Sequence, residues 1–316
     1  MKTKFLILFV TLLFTCFSCL KKEESIKIGI LEGPSSISFI RLIDHPPVVK
    51  GRKVEFIIKS EPLQIQAMMM QNQLDFAVLP TIMAVNLYNK GVSYKLLAIP
   101  VWGTLYLMGN NPEIDQLNQI QDEKVYLFGQ ASTSAVLFRE ILAKKNINHI
   151  QIDYTYHSNM ELSTALLQRK ISLAIISEPL VSILLHKDST LKILSEIRPE
   201  GISQYNKETI FAQTSFLVNS NMTGSYKDII KAISSYYSES CNFTYQQAEK
   251  AAELLVRHGF YPEKEVALQS IPRCNIHFRY AADVKENIHQ FLKIFYTFEP
   301  QSIGGKMPDD NFIYSE

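Results

Sequence analysis

Two short turns in this chain consist almost wholly of residues that can present hydrogen-bond donors, Gly33-Pro34-Ser35-Ser36 and Gly129-Gln130-Ala131-Ser132-Thr133-Ser134. Each follows a strand-like run, Ile26 to Leu31 and Lys124 to Phe128, and each opens a helical pattern. Free backbone N–H groups at a helix start, backed by the positive end of the helix dipole, favour an anionic or carbonyl group. The same serines serve equally well as simple helix caps. A second pair of turns ends two similar phrases: QNQLDFAVLPT (71–81) stops on Pro80-Thr81, and QRKISLAIISEP (168–179) stops on Ser177-Glu178-Pro179. These too have a plain alternative, a strand-to-helix turn selected for proline and cap chemistry.

The elements that must position these turns come in one order, used twice. Strand, small-residue turn, helix, strand, helix, strand, small polar turn describes residues 26–81 and again 124–179, with helical patterns at Leu63 to Met70 and Met160 to Leu167 before the two phrases. That order is an α/β unit, whose parallel sheet binds ligands beyond the carboxyl ends of its strands. Two such lobes facing each other would gather four loops around one concave site. Past the second phrase, Thr214 to Val218 reads as a strand. Helical patterns follow at Ser225 to Tyr237, Tyr245 to His258, Glu263 to Ile271 and Ala281 to Phe298, with Gly259 and Pro262 as stop and start signals. A first lobe made from both chain ends requires two crossings, expected near Pro100 to Asn111 and Phe211 to Asn219.

Other residues leave alternatives open. Trp102 is the only tryptophan; beside Gly103 its ring could stack on a planar ligand or pack at the hinge. Glu32 and Glu178, if turned inward, would suit an amino group or ring N–H and repel a bare anion; turned outward, they would meet a partner. Arg41, Arg139 and Arg273 could each grip an acidic ligand, but surface or salt-bridge roles fit them better. Met68, Met69 and Met70 read as core and rim packing, because neighbouring helix positions point apart. Cys241 and Cys274 could form one disulfide or remain buried thiols. Neither has metal-ligand spacing around it, and the sequons at Asn221 and Asn242 read as accidental.

The N-terminus reads as an export signal. Lys2 and Lys4 precede an apolar run from Phe5 to Phe14 broken only by Thr11, too short for a span of about 20 residues. Phe17-Ser18-Cys19 resembles a bacterial lipobox, with Cys19 as the lipidated first residue of the mature chain and residues 19–25 as a tether. Cleavage there would leave 298 of 316 residues and move the net charge from +1 to −1. That length suits two lobes. Apolar residues at 47% and charged residues at 20% exclude disorder and a multi-span membrane protein. A nearly neutral body argues against nucleic acid.

Taken in order, the lipobox, the strand before GPSS, LDFAVLP, AIPVWGTLYLMG, FGQASTSA, AIISEP and the ending EPQSIGGKMPDDNFIY resemble the extracytoplasmic solute-binding proteins of ABC importers. Within them the chain is most similar to the nitrate/sulfonate/taurine and pyrimidine-precursor branch, the NMT1/SsuA-like proteins. The resemblance implies the type II periplasmic-binding-protein fold, two α/β lobes joined by a two-strand hinge: residues 26–105 plus 217–316 as lobe I, 106–216 as lobe II, behind a signal peptide at 1–18. It implies ligand contacts from Gly33, Pro34, Ser35, Ser36, Pro80, Thr81, Trp102, Ser132, Thr133, Ser134, Ser177 and Glu178. It further implies a small-molecule solute and an ABC permease as partners, a monomer held to a bacterial membrane through lipid at Cys19 alone, and no catalysis, cofactor or metal. The rival readings are a lyase or synthase of the menaquinone or thiamin-precursor type on the same fold, and a surface interaction lipoprotein. Against the enzyme stand the export signal, seven scattered histidines, and the absence of a Gly-x-Ser-x-Gly elbow, P-loop or dinucleotide fingerprint.

Overall fold

The computed structural model describes residues 25–111, 113, 114, 117–121, 123–199 and 211–315; the signal peptide, Cys19 and all of the tether but Ser25 lie outside them. Short apolar runs bounded by turns form the strands. β1 (Ile26–Leu31), β2 (Val48–Val49), β3 (Arg52–Lys59), β4 (Phe76–Pro80) and β5 (Tyr94–Val101) come first. Next come β6 (Leu105–Gly109), β7 (Lys124–Tyr126), β8 (Gln151–Asp153), β9 (Leu173–Ser177) and β10 (Lys192–Glu196), and the chain returns with β11 (Thr214–Asn219) and β12 (Ile276–Tyr280). They make two sheets, ordered β12-β5-β11-β4-β1-β3-β2 and β10-β6-β9-β7-β8. In each sheet three parallel strands, β3-β1-β4 or β8-β7-β9, are followed by one antiparallel strand, β11 or β6, that arrives from the other lobe. The doubled phrase in the sequence is thus a doubled topology: β4 and β9 hold the same place in their sheets. β1, β4 and β9 are buried along almost their whole length, as parallel strands covered on both faces must be.

The helices that cover these faces are α1 (Pro34–Ser38), α2 (Ile40–Asp44), α3 (Pro62–Met70), α4 (Thr81–Asn89), α5 (Thr133–Lys144), α6 (Asn159–Leu167), α7 (Leu180–Lys187), α8 (Lys227–Gln246), α9 (Ala248–Arg257), α10 (Lys264–Arg273) and α11 (Lys285–Phe298). Sequence reading ends a helix at Tyr237, before Ser238-Glu239-Ser240; the structure runs α8 straight through to Gln246. The buried stripe Ile229, Ile233, Tyr237, Cys241, Thr244 never loses its spacing, and packing along that stripe outweighs the weak helix preference of the serines. Tyr237 anchors it: its ring stacks on Phe39 at 3.6 Å between centroids and its hydroxyl meets Ser38 Oγ at 2.8 Å. Met69 is buried, Met68 packs at the core margin and Met70 is exposed, the arrangement that helix geometry requires.

Cys241 and Cys274 do not form the disulfide that the sequence allowed. Both are free and buried in the lobe I core, where burial pushes each thiol well above its ordinary range and leaves it unreactive. Among the described residues no helix is long and apolar enough to cross a membrane.

The first crossing between the lobes depends on Gly103. Its φ is +106°, and a Cβ there would stand 2.5 Å from Cδ1 of Phe211, a residue of the returning segment. Gly103→Ala combines a left-handed backbone with overpacking and should cost about 1–3 kcal/mol. Thermal unfolding of the variant beside the wild type measures it, and an unchanged midpoint would show that Phe211 moves aside freely.

Candidate functional site

The site is fixed by where the crossing strands enter each sheet. Leu105, the first residue of β6, pairs with Ser177, the last of β9; Thr214, the first of β11, pairs with Pro80, the last of β4. The chain therefore passes between lobes directly beside the two turns that end the repeated phrases. Both turns are tied to it. Thr81 donates its N–H to the Gln213 carbonyl (3.0 Å) and Glu178 donates its N–H to the Thr104 carbonyl (3.0 Å). The two crossings are tied to each other: Thr104 N–H donates to Gln213 Oε1 at 2.7 Å, and Gln213 Nε2 donates to Thr104 Oγ1 at 2.9 Å. Asn275 closes the same corner by donating from Nδ2 to the Gly103 carbonyl at 2.7 Å.

The loop after β1 meets the loop after β9. A Cβ placed on Gly33, whose φ is +101°, would lie 3.4 Å from Pro179 Cδ and 3.9 Å from the Glu178 carbonyl oxygen. These distances are ordinary van der Waals contact, so it is the left-handed backbone, not a lack of room, that favours glycine here. Gly33 N–H donates to Ser36 Oγ (3.1 Å), so Ser36 is spent on its own turn, buried completely; Ser35 is also buried and Pro34 is half-buried at the first helical position. Thr81 is buried and accepts from Ser215 Oγ at 3.0 Å, beside half-buried Pro80. In the matching lobe II turn, Ser132 caps α5: its Oγ accepts from Ala135 N–H at 3.2 Å and lies 3.0 Å from Ser134 Oγ, with Thr133 half-buried between them. Ser177 Oγ accepts from Asn159 Nδ2 at 3.0 Å. Trp102 is buried at the hinge and donates from Nε1 to the His277 carbonyl at 2.6 Å, so its contacts are those of a packed core residue.

Glu178 differs most from its expected role. Its side chain is fully buried and both oxygens are engaged by protein groups. Oε1 accepts from Arg273 Nε at 2.7 Å and Ser182 Oγ at 2.9 Å; Oε2 accepts from Ser270 Oγ at 2.9 Å and Ser182 N–H at 3.3 Å. Burial pushes this carboxyl above the usual carboxylate range, while the Arg273 guanidinium and the two hydroxyls pull it back. No lone pair is left for a ligand. Glu32, the residue before Gly33, is exposed. All three arginines form ion pairs: Arg41 with Glu239, Arg139 with Glu299 and Arg273 with Glu178. Sequence reading missed Thr104, Gln213, Ser182 and Ser270 as partners, because none carries a motif; only strand register and helix packing bring them here.

A shallow concavity of about 440 Å³ lies elsewhere, lined by Asn110, Arg169, Lys170, Ile171, Ser172 and Thr190. Ser172 precedes β9 and Ser177 ends it, so this concavity sits at the opposite end of that strand from the inter-lobe loops. Its arginine is occupied by Asp188 (2.6 Å) and Thr190 (2.5 Å). Among the described residues no group of three or more histidine, cysteine or acidic side chains is placed to hold a metal.

Solved structures share this architecture. A Staphylococcus aureus ligand-binding component of an ABC-type import system, solved with zinc bound, aligns with TM-score 0.71 at 16% identity, over 92% of this chain and 96% of that one. The Escherichia coli periplasmic aliphatic sulphonate binding protein SsuA aligns with TM-score 0.73 at 17% identity, over 92% of each chain. At such identities the likeness shows the fold alone, the two-lobed periplasmic binding protein fold. No family model and no curated protein matches the sequence. An ABC transporter protein from Parabacteroides distasonis is 30% identical, with TM-score 0.82 over 92% of this chain and 99% of its own. On that identity across nearly the full length of both proteins, this chain belongs to the same ABC-transporter family, in the periplasmic binding protein fold.

Proposed function

We propose that this protein is an extracytoplasmic solute-binding lipoprotein, which captures a small organic or anionic solute between its lobes and delivers it to an ABC importer permease. The observation that carries the reading is the meeting of the loops after β1 and β9 across the lobe boundary, beside a hinge hydrogen-bonded to the turns at Thr81 and Glu178. Solute would bridge the turns at Gly33 to Ser36, Pro80-Thr81, Ser132 to Ser134 and Ser177, and its contacts to both lobes would favour closure. Catalysis has no role in this cycle. Because Glu178 and Arg273 neutralise each other, the turns themselves offer the half-buried hydroxyls of Ser132, Thr133 and Ser177 and backbone N–H groups, with the exposed Glu32 carboxylate beside Gly33. Such neutral donors suit a solute rich in acceptors, a sulfonate, carboxylate or ring carbonyl. The export signal and the lipobox at Cys19 support anchoring outside the cytoplasm, with Cys19 as the lipidated residue and the permease as the membrane partner.

Residues 20–316 should respond to one class among sulfonates, nitrate, pyrimidines, vitamin precursors and amino acids. A solute at one hundred times its dissociation constant adds about 2.7 kcal/mol, and Trp102, buried at the hinge, reports the unfolding. Silence across that panel from a well-folded protein would overturn the capture reading. Ser132→Ala should lower stability by about 1 kcal/mol through the lost cap. Ser132→Trp should in addition weaken binding of whichever panel solute is found, and unchanged affinity would remove that turn from the site. Cys19→Ala should move the full-length protein from the membrane fraction to the soluble fraction; retention in the membrane would refute lipidation at that residue.

A further inference from the structure

Arg273 is one point at which lobe I grips lobe II, and the one whose partner is a fully buried carboxylate. It closes α10 next to β12, whereas the groups it engages, Glu178, Ser182 and Tyr106, belong to the end of β9, to α7 and to β6. Its Nε donates to Glu178 Oε1 (2.7 Å), its Nη2 donates to Ser182 Oγ (2.8 Å), and its carbonyl accepts from Tyr106 OH (2.9 Å). One helical turn earlier, Ser270 donates to the other carboxylate oxygen while accepting from Tyr261 OH at 2.5 Å, which lengthens the chain of hydrogen bonds into the lobe I core. Ile183, the residue after Ser182 in α7, packs against that same core.

We propose that Glu178 is a positioning residue that clasps Arg273 and Ser270 across the lobe boundary and holds the lobes closed without any solute. Two effects compete. Burying a carboxylate and a guanidinium is costly, and the attraction repays this only when geometry is good and the remaining lone pairs are filled. Here all the conditions hold. The contacts run between 2.7 and 3.3 Å, Ser182 stays on Glu178 as part of its own lobe, and Glu178, Arg273, Ser182 and Ser270 leave no buried side-chain polar atom unpartnered. The guanidinium keeps 27% of its side chain exposed, so its desolvation is incomplete and cheaper than that of a fully buried ion. A hydrogen-bonded chain from Tyr261 through Ser270 to the carboxylate polarises in one direction and strengthens each link. Opening would trade Arg273 and Ser270 for water on the carboxylate and would uncover Ile183. The clasp is thus a term in the closure equilibrium that a solute does not supply. Binding then meets a molecule that is already mainly closed, and Glu178 acts on affinity through the population of the closed form. The clasp rests on the two-lobed fold and is independent of which solute the cleft accepts.

The test is made on solute-free protein, so failure of the capture reading cannot disguise its result. In residues 20–316, nitroxides at Glu61→Cys and Met160→Cys, exposed positions at the start of α3 in one lobe and of α6 in the other, report the inter-lobe distance by double electron–electron resonance; the two native thiols of that segment, Cys241 and Cys274, are buried and take no label. The parent should show mainly the short distance. Glu178→Gln removes the charge but keeps the shape, and should lower the ratio of short to long distances by roughly tenfold, as expected for loss of a hydrogen bond to a charged group. Arg273→Gln, at a partly exposed position, should do the same, and circular dichroism checks both folds. A parent already open, or variants with the parent's distance distribution, would overturn the proposal. Unfolding of both variants would overturn it as well, by making the pair a requirement of folding instead of a clasp between folded lobes.

Discussion

Each lobe completes its sheet with a strand that has just left the other lobe, and the rest of the molecule follows from this constraint. β6 and β11 enter antiparallel beside β9 and β4, with their first residues paired to Ser177 and Pro80. A parallel sheet places its functional loops at the carboxyl ends of its strands, and the crossing strand can begin only at that same end. The hinge and the loops are therefore neighbours by topology, before any side chain is chosen. Side chains then refine the join. Thr104 and Gln213 satisfy each other across the two crossings, and each offers its carbonyl to a loop of the lobe it adjoins, so that a rotation about the hinge carries the turns at Thr81 and Glu178 with it.

The chemistry left to the cleft loops is largely that of dipoles. Ser36, Ser132, Ser134 and Ser177 all have partners in their own lobe, so the cap and ligand readings describe one arrangement: a hydroxyl that fixes the turn also aims the neighbouring N–H groups. Preorganised neutral donors lose less on binding than flexible charged side chains, because little entropy remains to be removed. The one buried carboxylate at the loops, Glu178, is paired with Arg273 instead of facing the lobe boundary unpartnered, whereas Glu32, just before Gly33, is exposed. If Glu178 faced the cleft, it would repel the acceptor-rich solutes that the remaining donors favour.

The fold was legible because its signals are local and repeated. Five-residue apolar runs ending in Pro80 or Ser177 mark β4 and β9, and Gly33 with Gly129 marks the preceding turns; both glycines have positive φ. The lobe I helices were readable from caps and apolar spacing, except where the serines after Tyr237 hid the continuity of α8. The site was less legible. Glu178 looked like a cleft residue because it follows a strand end, and it does lie at the lobe boundary. The missing information was Arg273, 95 residues away in sequence. Cys241 and Cys274 offered a pairing by count, but two thiols in one core need not meet. Contacts that depend on how helices from different lobes pack leave no periodicity for a single sequence to show.

The hinge is also packed from outside, and this limits the motion available to it. Phe211 lies over Gly103 on one side and stacks on Phe291 of α11 on the other, at 5.6 Å between centroids. α11 reaches lobe II as well, where Glu299, just beyond its end, pairs with Arg139 of α5 at 3.2 Å. The segment after α11 then folds back along α4: Asn89 Nδ2 donates to the carbonyls of Ile303 and Lys306, Tyr88 OH donates to Asp309, and Phe312 is buried against Tyr88. The C-terminal helix is thus fastened to lobe I and also packs on α5 of lobe II, where Phe291, Leu292 and Phe295 share one apolar cluster with Phe138 and Ile141; the partly exposed ion pair adds at most about 1 kcal/mol to that packing and to the aromatic stack at the pivot. Rotation about Phe211 can preserve the stack while it breaks the ion pair, whereas sliding of one lobe past the other would have to pull Phe211 from between Gly103 and Phe291. The packing around Gly103 therefore favours a hinge over a shear.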